Sequence, residues 1–268
     1  MTRAKRGTHR RAIRVLLALL TLGTLVIPPV VVATSGTATY SATWTALRML
    51  ALYALTVVFI NIMTGSFRPL LVKAFKPKFL FRLHNTTGLV GFSMAVAHMV
   101  LVIFEGLWPG FQKLGPVTLY ILTATTAAVL LRKYLKRYWR MIHRLNYVVF
   151  VVGLIHAFQV GIDLKDGGFL KGILYLYAVL VAAAIEVFTI PMFGALSDHL
   201  GRRPVYIFGA VFSAIMSIPL FMLLETRSPQ MAMLAITLGL AIGHAAMYGP
   251  QASFLSELFG TRVRYSGV

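Results

Sequence analysis

Four histidines, His84, His98, His143 and His156, lie as two pairs in two apolar segments, at spacings of 14 and 13 residues. Neutral imidazole is a good axial ligand for iron, and two imidazoles facing each other across a pair of helices fill both axial positions of a haem. That arrangement transfers electrons and leaves no site for oxygen. The chain has no cysteine, which excludes disulfides, thiolate-ligated clusters and covalently attached haem, so any metal centre has to rest on histidine. A lone intramembrane histidine has a plainer use, a hydrogen bond to a neighbouring helix. Four at matched depths favour the haem.

The elements that must position these residues are membrane helices. Of 268 residues 58% are apolar and 12% charged, which describes an all-α polytopic membrane protein and not a soluble domain. A hydrocarbon core of about 30 Å needs about 20 apolar residues per span. The apolar runs predict about eight spans, near 13–33, 44–64, 86–106, 116–134, 146–163, 169–196, 204–224 and 230–249. A net charge of +19 resembles that of a nucleic-acid binder, but the basic residues alternate between connections. Six fall between Arg3 and Arg14, five between Arg68 and Arg82, and six between Arg132 and Arg144. With Arg202, Arg203, Arg262 and Arg264 they make 21 of the 26, all on one side of the predicted spans. The positive-inside rule puts that side, and the N-terminus, in the cytoplasm of an inner-membrane protein. The expected partner of the basic loops is the anionic bilayer surface and not nucleic acid. The stretch from Val15 to Ala33 has the outline of a signal peptide, but it exceeds the usual apolar length and supplies the first span, so it reads as a retained anchor.

In this topology the third and fifth spans run parallel. His84 and His143 then start their helices at the cytoplasmic edge as an inner pair, and His98 with His156 form an outer pair about 20 Å further along. Phase fits imperfectly. Fourteen residues keep His84 and His98 on one face, whereas thirteen turn His156 about 140° from His143 on a straight helix, so a bend or an irregular helix start is required there.

The stretch Phe81 to Gly88 (FRLHNTTG), running on to Ala97 and His98, and the stretch Tyr138 to Tyr147 (YWRMIHRLNY), running on to Ile155 and His156, resemble the ferric reductase-like transmembrane domain. The resemblance covers residues 10–182. It implies a six-helix bundle, one or two b-type haems with iron held by His84, His98, His143 and His156, and transmembrane electron transfer from the cytoplasmic side to an outer acceptor. An oxidoreductase-type membrane subunit is implied, with no flavin or nicotinamide domain of its own, because no Gly-rich dinucleotide fingerprint occurs. The expected donor is a separate flavoprotein or a membrane quinol. Gly88 and Gly91 read as small residues packed near the porphyrin, or equally as ordinary helix packing.

A second pattern begins near Ala183. In the segment Gly194 to Pro204 (GALSDHLGRRP), Gly194 allows close backbone approach, Asp198 stands at a helix end beside Arg202 and Arg203, and Gly201 permits a turn. This segment resembles the signature loop of major facilitator transporters, and the run Met247 to Gly267 resembles their metabolite/proton symporter branch. Residues 184–268 would then correspond to the eighth to tenth spans of a twelve-span transporter, with Gly194, Asp198, Gly201, Arg202 and Arg203 as a conformational gate. The alternative function is therefore proton-coupled solute transport, incomplete in this chain, since transport needs two opposing halves. His244 and Gln251 read as packing residues or unsatisfied liabilities. The apolar run 168–196 is longer than one span, and Glu186 within it reads as the seam of a fusion, a recombination scar or an assembly artefact. It is costly there unless paired or protonated.

Overall fold

A computed structural model of the chain describes residues 3–34, 41–107, 114–164 and 168–258. The described residues form helices joined by short turns, as a bilayer demands, since an α-helix satisfies every backbone N–H and C=O within its own segment. In chain order they are α1 (Arg3–Thr34), α2 (Ala42–Ser66), α3 (Arg68–Leu71), α4 (Pro77–Phe104), α5 (Gly115–Leu130), α6 (Arg132–Leu135), α7 (Tyr138–Arg144), α8 (Asn146–Val160), α9 (Gly168–Leu200), α10 (Arg202–Glu225), α11 (Pro229–Leu238) and α12 (Ala245–Leu258). A 3₁₀ turn, Ile162–Leu164, follows α8, and a π-helical turn, Gly239–His244, joins α11 to α12.

Seven apolar helical stretches among the described residues are long enough to cross a membrane. The fourth expected span, over 116–134, is the 16-residue α5, about 24 Å long at 1.5 Å per residue and so short of the hydrocarbon core. Its helix stops at Leu131, and Lys136 adopts a left-handed φ of 48° before α7 begins.

The chain divides into two compact units, Met1–Leu174 and Tyr175–Val268, with the boundary inside α9. In the first unit α2 packs along α4 and against α1 and α8, while α5 packs against α7 and α8. Val57, Phe59, Ile60 and Ile62 of α2 are buried, as are Leu80 of α4, Leu122 of α5, and Val149, Phe150 and Leu154 of α8. The Phe59 and Phe150 rings meet at 6.0 Å. A Cβ on Gly91 would lie 3.0 Å from Val58 Cγ2, and one on Gly88 would lie 3.2 Å from Asn61 Nδ2. Both glycines thus serve the α2–α4 contact, the packing role of small residues between membrane helices.

Arg48, near the start of α2, and Asp163, in the turn after α8, are buried together, at 4% and 7% exposure. Arg48 Nε donates to Asp163 Oδ2 at 3.0 Å while its second nitrogen grips Oδ1. The bidentate fork offsets the desolvation of both charges and ties the start of α2 to the turn after α8.

In the second unit Phe193, Val205, Ala245 and Ala246 form a core with Ile190 and Ile242 beside it. A Cβ on Gly249 would lie 2.7 Å from the Ile190 carbonyl and 2.8 Å from the Gly194 nitrogen, so only glycine lets α12 lie directly on the α9 backbone. On α10, Ile215, Ile218, Phe221 and Met222 are more than 60% exposed, an apolar face suited to lipid.

Candidate functional site

His84 and His143 face each other. Their ring centroids are 5.9 Å apart and their planes nearly perpendicular. α4 begins at Pro77, so His84 stands two turns inside the helix and not at its start; His143 occupies the last turn of α7. A turn at Leu145 separates α7 from α8.

Each ring of α4 is fixed through Nδ1. His84 Nδ1 lies 3.1 Å from the Asn61 carbonyl and His98 Nδ1 lies 3.1 Å from the Leu47 carbonyl, both on α2. A carbonyl only accepts, so each Nδ1 carries the proton and each Nε2 keeps its lone pair, the tautomer a metal-ligating histidine takes. Asn61 holds the inner site from a second direction, its Nδ2 donating to the His84 carbonyl at 2.5 Å and to Thr87 Oγ1 at 3.0 Å. His143 Nδ1 lies 3.2 Å from the Asn146 side-chain amide, whose other end lies 2.7 Å from Thr125 Oγ1. Thr125 also donates to the Leu122 carbonyl. The amide nitrogen donates to His143 Nδ1 and the amide oxygen accepts from Thr125 Oγ1, so in this arrangement the His143 ring proton sits on Nε2.

The outer residues are placed differently. His98 is set against α2, whereas the ring of His156 lies against the start of α5, where a Cβ on Gly115 would come within 2.8 Å of its Cε1. The structure therefore brings the inner pair together. Among the described residues no group of three His, Asp or Glu is placed to hold a bare metal ion. A haem asks for less, since the porphyrin supplies four ligands and the protein two. Two imidazoles bound to one iron, with metal–nitrogen bonds of about 2 Å, put their ring centres about 6 Å apart, close to the separation of His84 and His143. His84 presents the donor that such a site needs, and His143 would have to carry its proton on Nδ1 to do the same.

The second unit holds a charged cluster at the α9–α10 turn. Gly201 takes φ 92° and ψ 148° there, a conformation open essentially to glycine. Arg202 lies 3.6 Å from Asp198 and 2.5 Å from Glu257 at the end of α12, so one guanidinium clamps the ends of three helices. A Cβ on Gly194 would lie 3.5 Å from the Gly249 carbonyl, in ordinary contact. Glu257 was missed in the sequence because it lies 55 residues from Arg202, beyond the reach of a local pattern. Asn61 carried a legible signal, a lone amide in the apolar run of α2. The part of the Met247 to Gly267 run from Phe259 onward lies outside the described residues.

Glu186, read as a seam, and His244, read as packing, are partners: His244 Nδ1 lies 2.5 Å from Glu186 Oε1. This contact is the pairing that a carboxylate in an apolar helix needs.

Residues 163–268 match the family model for the Sugar (and other) transporter. The chain is 32% identical over 114 residues to the Shikimate transporter of Escherichia coli (strain K12), covering 42% of this chain and 26% of that protein. It is 33% identical over 97 residues to the Glycine betaine/proline/ectoine/pipecolic acid transporter OusA of Dickeya dadantii (strain 3937), covering 36% of this chain and 19% of that protein. It is 31% identical over 97 residues to the Proline/betaine transporter of Escherichia coli (strain K12), covering 36% and 19%. The chain thus spans about a quarter or less of the length of these relatives. No solved structure gives a significant match. The C-terminal part of the chain is transporter-like, while the ferric reductase-like reading of residues 10–182 draws no support from these comparisons and rests on its own residues.

Proposed function

We propose that the protein serves proton-coupled transport of a small metabolite across the inner membrane, with its N-terminus in the cytoplasm and with Gly194, Asp198, Gly201, Arg202 and Arg203 in its gate. The observation that carries this reading is the Asp198–Arg202–Glu257 cluster, which joins three helix ends across a glycine turn inside the segment that matches the transporter family. A clamp of this kind holds one end of a helix bundle shut, and it opens when its ion pairs break, as alternating access requires. The substrates named for the relatives, shikimate and proline or betaine, are small, polar and charged, and define the class to try first. In cells making the protein, uptake of labelled shikimate or proline should rise above that of control cells and collapse when the proton gradient is dissipated. Asp198→Asn should remove it. Equal uptake in producing and control cells would refute the reading.

A second reading belongs to the first unit. The facing of His84 and His143, with Nδ1 of His84 held by a backbone carbonyl, supports a b-type haem between α4 and α7. Haem would supply one-electron transfer to an outer acceptor from a flavoprotein or quinol. A pyridine haemochrome assay on the purified chain tests it. Haem lost on His84→Ala or His143→Ala is the expected result, and folded protein without haem is the contrary one.

A further inference from the structure

We infer that Glu186 and His244 form an intramembrane proton-binding pair, the site at which the transporter unit takes up and releases the coupling proton. The inference rests on the transport reading for its role but not for its chemistry.

Depth is the first support. Glu186 lies 18 residues from the start of α9 and 14 from its end, and His244 lies midway through the stretch 229–258, so both stand about 20 Å or more from the helix ends. Ionisable side chains at such depth face a cavity or each other. Here the two are 2.5 Å apart, a separation that requires a hydrogen between Nδ1 and Oε1. Their exposures differ: the Glu186 side chain is 16% exposed and that of His244 is 46%. The imidazole is therefore the more open of the two groups and the one a proton would reach first.

The backbone gives the second, independent support. His244 ends a π-helical turn, an irregularity found mostly at functional sites because it adds a residue to the helix and redirects the side chain. Gly243 beside it allows no Cβ, which would fall 2.5 Å from Ser213 Oγ of α10. The turn is thus pressed against α10 and holds His244 toward α9.

Among the described residues of this unit, the other charged side chains lie toward the helix ends. Tyr248 stacks on the His244 ring at 5.2 Å and is the nearest other titratable group of α12. On α10, Arg202, Arg203 and Tyr206 lie toward one end and Glu225 toward the other, with Arg202 and Glu225 each about 16 Å or more along the helix from Ser213. α11 carries no titratable side chain. The remaining ones of α9 in this unit, Tyr175, Tyr177, Asp198 and His199, are at least nine residues from Glu186.

The proton balance is simple. With neutral imidazole and carboxylate the pair carries one negative charge. A proton arriving at His244 Nε2 makes imidazolium, Nδ1 can pass its own proton to Oε1, and the pair becomes neutral. Loss of one proton to the opposite side restores the charge. The neutral pair can be closed off from water in the low-dielectric core at less cost than the charged one, which links occupancy to conformation.

Infrared difference spectroscopy on the full chain in liposomes, stepped through pH, tests the site directly. A protonated-carboxyl band that is lost in Glu186→Gln, altered in His244→Gln and restored in Glu186→Asp is the expected result. A spectrum unchanged by Glu186→Gln in folded protein overturns the proposal. Transport tests the role: Glu186→Gln should keep exchange of the labelled solutes across equal pH and lose accumulation against a gradient, and accumulation that persists overturns the coupling. If the wild-type chain moves no solute, the transport reading fails and the infrared result still decides the proton site.

Discussion

Arg48 and Asp163 show how a charge inside a membrane protein stays where it is. Removing one partner leaves the other buried and uncompensated, so Arg48→Gln or Asp163→Asn should cost about 3–5 kcal/mol of stability, measured by denaturant unfolding in mild detergent, whereas Arg48→Met with Asp163→Leu should recover most of it. Around His84 the expected loss is smaller. Asn61→Ala leaves the His84 carbonyl and Thr87 without their donor and should cost about 1–3 kcal/mol, with any haem bound more weakly than in the wild type. The histidines were legible from residue type and spacing alone. Their hydrogen-bond partners were not, because Leu47 and Asn61 act through backbone carbonyls, which any residue possesses.

Helices were readable as apolar runs, and their irregularities were not. A turn at Leu145 divides α7 from α8, and α5 falls short because Leu131 and Lys136 leave helical geometry. Neither residue type announces a break. At the α9–α10 connection the sequence was more informative, since a glycine before two arginines and a proline signals a turn, and Gly201 indeed takes a positive φ. Gly201→Ala should therefore cost about 1–3 kcal/mol in strain. Gly249→Leu should do more harm, since its side chain would meet the α9 backbone. Limited proteolysis should then cut the second unit faster than the first, and equal cleavage would contradict the packing.

At the scale of the molecule, composition was enough to establish a polytopic helical membrane protein, and charge asymmetry was enough to predict an orientation. The absence of cysteine makes that orientation easy to test. Lys136→Cys should react with an impermeant thiol reagent only after the inner membrane is opened, and Arg227→Cys should react in intact cells. Function was less evenly legible. The GALSDHLGRRP segment pointed to a transporter through local pattern, and the family match over residues 163–268 agrees with it. The weight placed on haem came from residues whose fit to iron is a matter of side-chain geometry. Glu186 and His244, 58 residues apart, looked like misfits singly and become a chemical unit only when folded. The most direct test of the account is to follow labelled solute and internal pH together in proteoliposomes holding the purified full chain. Solute accumulating with acidification of the lumen, and both abolished by Asp198→Asn, is the predicted result. Solute entry without proton entry, or no entry into vesicles of correctly folded protein, would contradict it.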